Sequence, residues 1–91
     1  MTGKIVRSLR GRDKGKLMVV IGTSDKGLLV CDGKERPLER PKTKNIKHLC
    51  FTQDRLNTAQ YSSNRRLRSA LYRYRLGVDT EREETQCQKR I

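Results

Sequence analysis

Two short apolar runs, Ile5-Val6-Arg7-Ser8-Leu9 and Leu17-Met18-Val19-Val20-Ile21, flank a loop in which Gly11 and Gly15 alternate with Arg10, Arg12, Lys14 and Lys16. Short β-branched runs on either side of turn residues read as strands that pair across the turn. Glycine accepts the positive φ that tight turns demand, so the loop and its flanks are mutually consistent. The resulting hairpin tip presents Arg10, Arg12, Lys14 and Lys16 beside backbone N–H groups, an arrangement suited to a phosphate backbone. Gly15 permits close approach of that backbone, with Lys14 and Lys16 as the contacting cations. Asp13 is out of place at an anion site and reads as the acceptor of an Asx-type turn.

The same grammar continues to about residue 52. Thr23-Ser24-Asp25-Lys26-Gly27 is a turn and Leu28-Leu29-Val30-Cys31 a third strand. Asp32-Gly33 signals a type I′ hairpin, from which Lys34–Leu38 pairs back as an edge strand because Pro37 lacks a donor. Asn45-Ile46-Lys47-His48-Leu49-Cys50 reads as the last strand. Short strands joined by tight turns at this spacing predict a small all-β barrel rather than a sandwich. The connection bearing Arg36, Arg40, Lys42, Lys44 and Lys47 is a second candidate strip for phosphate contact, with Lys42, Lys44 and Lys47 as the contacting residues.

Beyond Phe51 the period changes. Leu67, Ala70, Leu71 and Tyr74 fall on one stripe of a helix over 64–76, with Asn64 as its cap and Gly77 as its C-terminal glycine. Asn57 and Gln60 have capping-box spacing, but Ser62-Ser63-Asn64 argues for a break there. The other faces carry Arg65, Arg66, Arg68, Arg73 and Arg75. The stripe is compatible with docking on the barrel or with folding only against a partner; the barrel's thin core favours docking. The Tyr72-Arg73-Tyr74-Arg75 alternation suits stacking on an unpaired base as well as ordinary partial burial. The organisation expected is a barrel over 1–52, a linker and basic helix over 53–77, and a disordered, mixed-charge tail over 78–91.

Twenty-two Lys and Arg against ten Asp and Glu give a formal charge of +12, which favours a polyanionic partner. The excess is spread through the chain, so it is not the signature of a basic tail on a neutral domain. No apolar run approaches the ~18 residues of a membrane span and no signal peptide is evident, which predicts a soluble, cytoplasmic protein without membrane contact. Cys31, Cys50 and Cys87 lack paired spacing, so neither a disulfide scaffold nor a metal site is expected. Cys31 reads as a small core residue. His48 has no nucleophile near it in sequence, and neither paired carboxylates nor a nucleotide loop occurs; no enzyme and no cofactor are expected.

The residues from Ile5 to Gly22, with the Gly-Arg-Asp-Lys-Gly-Lys core and the valine strand after it, resemble the KOW motif of ribosomal proteins and transcription elongation factors. Met18 in that strand, together with Asn45-Ile46-Lys47-His48-Leu49, is similar to a subset of archaeal and eukaryotic large-subunit ribosomal proteins and to short bacterial proteins like them. This resemblance covers roughly residues 3–52. It implies an SH3-like barrel that binds RNA noncatalytically, with ribosomal RNA or the large ribosomal subunit as the expected partner. Ribosomal proteins are further possible contacts, and the free protein is expected to be a monomer. The RNA-contacting set is then Arg10, Arg12, Lys14, Gly15, Lys16, Lys42, Lys44, Lys47, Arg65, Arg68 and Arg75. The rival expectations are a protein-interaction module on the transcription or translation machinery and nonspecific DNA binding.

Overall fold

The computed structural model describes residues 2–79. Five strands, β1 (Lys4–Ser8), β2 (Leu17–Ser24), β3 (Gly27–Cys31), β4 (Lys42–Lys44) and β5 (Leu49–Arg55), precede one helix, α1 (Asn64–Asp79). The strands form a single antiparallel sheet in the order β4-β3-β2-β1-β5. Ile5 pairs with Val19 and Val6 with Met18, so the alternation along β1 and β2 sends each run to both faces of the sheet.

Each face is buried. Ile5, Leu17, Val19 and Cys31 pack with Leu56 and with Leu67 and Leu71 of the helix, flanked by Ala70 and Tyr74. Val6, Met18 and Val20 form the second cluster with Leu28 and Val30 of β3 and Leu49 of β5. This cluster runs across four neighbouring strands, from β3 through β2 and β1 to β5. The apolar stripe of the helix is therefore docked, with Leu67 fully buried. Among the described residues no helix is long and apolar enough to cross a membrane.

Several elements lie away from their expected places. Lys34–Leu38 forms no strand. The Asp32 carboxylate instead accepts from the Lys34 and Arg36 N–H groups, and the Arg36 carbonyl accepts from the N–H groups of Asp32 and Gly33. Gly33 has φ +80 but Asp32 is not in the positive-φ region, which excludes a type I′ turn. The fourth strand is Lys42–Lys44, past both prolines. Ile46–His48 is a 3-10 turn capped by Asn45, and the last strand begins only at Leu49. The capping box of Asn57 and Gln60 heads a separate 3-10 turn, Thr58–Tyr61.

The helix begins where expected but is capped by Ser63, whose hydroxyl accepts from the Arg66 N–H and whose carbonyl accepts from that of Leu67. The Asn64 side chain accepts from the Leu38 N–H at 2.7 Å and donates to Glu39 at 2.9 Å, clamping the β3–β4 connection to the helix. Gly77 lies inside the helix, which continues to Asp79. The expected tail lies outside the described residues from 80 onward. Cys31 is a free, buried thiol.

Candidate functional site

The β1–β2 connection is a folded loop rather than a bare hairpin tip. The Lys14 N–H donates to the Gly11 carbonyl, that of Lys16 to Asp13, and that of Gly15 to Ser8. Gly15 sits at φ +87, and a side chain there would meet nothing within 4 Å, but its own N–H is spent on Ser8 and its carbonyl accepts from the Arg7 guanidinium at 3.3 Å. A positive φ at this point is what the turn requires and what glycine supplies without strain.

Asp13 anchors the loop from inside, by long-range contacts instead of an Asx turn. One carboxylate oxygen, Oδ1, accepts from the Ser8 hydroxyl at 2.8 Å and from Lys44 Nζ at 3.1 Å. Lys42 Nζ lies 3.8 Å from Oδ2, which is buried without a hydrogen bond. Lys44 Nζ also donates to the Arg10 carbonyl at 2.7 Å. Burial by itself raises the Asp13 pKa, but the bonds from Ser8 and Lys44 and the charges of Lys44 and Lys42 outweigh it, leaving the carboxyl below its ordinary range.

Lys44 is thus a correction to the sequence reading. Its side chain is only 6% exposed and its ammonium is committed to the interior, so it is a brace and not a phosphate contact. The cause is the pairing of β4 with β3, which sets Lys44 opposite Leu28 and beneath the β1–β2 loop. Arg10 is exposed but contributes its carbonyl to the same brace.

A groove of about 620 Å³ lies between this loop, the β3–β4 connection and α1. Lys14, Gly15 and Lys16 form one wall, Asp32 and Lys34 another, and Arg68, Tyr72 and Arg75 the helix side, with Leu17 and Leu71 also lining it. Five of the expected residues therefore meet in one place although Lys16 and Arg68 are far apart in sequence. Lys16 is ion-paired with Glu35, which raises the lysine pKa and lowers that of the carboxyl. A second depression of about 400 Å³ holds Arg12, Lys16, Arg36 and Lys42 with the acids Asp13, Asp32 and Glu35. Lys47 and Arg65 are exposed but line neither of these two.

The two tyrosines of the Tyr-Arg alternation differ here. Tyr74 is partly buried and its hydroxyl donates to Asp54 at 2.7 Å; burial first, and then this bond, push its pKa up to about 12. Tyr72 is 61% exposed on the groove wall. Lys34 was not singled out from sequence. The signal available was its place directly after Asp32-Gly33, where the Asp32 cap fixes its backbone. Cys31, buried in the sheet, has its thiol pushed up to about 11 by that burial, with Asp32 and Glu39 adding to it, so it stays protonated at neutral pH. The chain matches no protein-family model and no curated protein.

Proposed function

We propose that this is a noncatalytic RNA-binding protein, an SH3-like barrel of the KOW kind with a basic helix, that grips the sugar–phosphate backbone of structured RNA. Ribosomal RNA of the large subunit is the intended partner, a choice that rests on the motif resemblance and not on charge. The observation that carries RNA binding is the convergence in one groove of Lys14, Gly15 and Lys16 from the loop with Arg68 and Arg75 from the helix. Cations around a glycine that carries no side chain suit phosphate oxygens, which position a protein without reading sequence. The β1–β2 pairing and the Asp13 brace hold the loop in place, so recognition is of shape.

The test is the salt dependence of binding to a folded ribosomal RNA fragment. Each phosphate contact adds about 0.7–0.9 to the log–log slope, so Lys14→Ala with Lys16→Ala is expected to lower it by about 1.4–1.8. An unchanged slope in the folded double variant removes the loop from the interface. Sedimentation of tagged protein across a ribosome gradient tests the partner. Co-migration with large subunits supports it, and a position only at the top of the gradient counts against it.

A further inference from the structure

Resting on the RNA-binding reading, we infer that the groove is a seat for one unpaired nucleotide, with its base stacked on Tyr72 and its phosphates held by the surrounding cations. Three observations converge on this occupant. The groove is lined by Lys14, Lys34, Arg68 and Arg75, and by Lys16 with its partner Glu35, against one lining carboxylate, Asp32, so its net charge complements an anion. Its volume, about 620 Å³, gives room for one nucleotide in an open groove and is far too small for a duplex. Its wall carries an aromatic ring, Tyr72, that is 61% exposed, whereas Tyr74 is occupied by Asp54.

Helix geometry strengthens the assignment. Arg68 and Arg75 stand four residues before and three after Tyr72, which places all three on one face of α1. A base on the ring then has a guanidinium on either side to meet its flanking phosphates. Leu71 and Leu17 supply apolar surface deeper in the groove. On the opposite wall Gly15 presents backbone with no side chain to hold a sugar away. A fully paired A-form helix offers its phosphates and 2′-hydroxyls but no free base face, so it engages the cations and leaves the ring uncovered.

The test compares a blunt RNA duplex with the same duplex carrying one bulged nucleotide, using the wild type, Tyr72→Ala, Tyr72→Leu and Tyr72→Phe. The wild type is expected to prefer the bulged RNA. Tyr72→Ala should lose about 5- to 150-fold on that RNA, the contribution of one stacked base. It should bind the blunt duplex as before with an unchanged salt slope. Tyr72→Phe should retain the preference, while Tyr72→Leu, apolar but without a π face, should not.

Bulged-RNA affinity that is equal in wild type and Tyr72→Ala overturns the inference, as does retention by Tyr72→Leu or a wild type that ignores the bulge. In those cases salt-dependent binding to both RNAs leaves the general reading standing. Absence of wild-type binding to either RNA at low salt overturns both. With 2-aminopurine at the bulge, emission should be quenched by the wild type and by Tyr72→Phe, a readout that needs no destabilising substitution. Unquenched emission at saturation also overturns the stacking.

Discussion

Replacing Asp13 with alanine removes the carboxylate on which the β1–β2 loop and β4 converge. The Asp13 and Lys44 side chains are 8% and 6% exposed and their charged atoms are 3.1 Å apart. Breaking such a pair from one side costs about 3–5 kcal/mol, because the surviving charge stays buried without its partner. Lys44 would keep the Arg10 carbonyl at 2.7 Å, and the Ser8 hydroxyl can turn to that carbonyl at 2.9 Å, so the lower end, about 3 kcal/mol, is expected. In a domain of this size that corresponds to a fall in Tm of about 12–24 °C. Lys44→Met should cost less, since Asp13 retains Ser8 and has Lys42 nearby.

Asp13→Ala with Lys44→Met should be more stable than the sum of the two single changes, because no stranded charge remains. Urea unfolding followed by circular dichroism at neutral pH measures all of these. A cost under about 1 kcal/mol for Asp13→Ala, or strict additivity in the double variant, would falsify the account of the brace. The pH dependence has a fixed sign. The folded carboxyl titrates below its unfolded value of about 3.9, so the unfolded chain binds the proton more readily. The brace therefore contributes fully above that value and is lost as pH falls through the lower, folded pKa. The stability gap between wild type and Asp13→Ala should shrink in that acid range and nowhere between pH 5 and 8.

Leu71→Ala, at a position only 6% exposed between helix and sheet, should destabilise the free protein by about 2–5 kcal/mol; an unchanged melting curve would refute helix docking. Gly33→Val should cost more than Gly15→Val in urea titrations. Both glycines have positive φ, but at Gly33 a Cβ would stand 2.6 Å from the Asn64 carbonyl, while at Gly15 it meets open space and strain alone, about 1 kcal/mol or more, remains. Equal costs would contradict this contact. Glu35→Gln should release Lys16 and tighten binding to folded RNA several-fold at low salt, with the gain fading at high salt; unchanged affinity would show that Lys16 is not in the interface.

Local periodicity carried the parts of the fold that depend on neighbours along the chain. The short apolar runs located β1 and β2, and the 3.6-residue stripe found Leu67 and Leu71; which face each strand residue takes, Ile5 and Val19 on one and Val6 and Val20 on the other, came only with the strand register. It failed where a single side chain diverts the backbone. Asp32 spends its carboxylate on two N–H groups and so closes a loop at the place where a hairpin was expected, which delays the fourth strand until Lys42. The site divides in the same way. Lys42, Lys44 and Lys47 are interchangeable in a basic loop read residue by residue, yet Lys47 is exposed, Lys42 is partly covered and Lys44 is buried. What separates them is one carboxylate 31 residues before Lys44 and the β3–β4 register that brings the two together. The lone acid among the loop cations was the visible clue. An aspartate there weakens an anion site unless its charge is spent internally, and the cation that spends it must come from another part of the chain. Composition counts both lysine and aspartate as surface charge, so it overstates the field available to a ligand by the groups that neutralise each other inside.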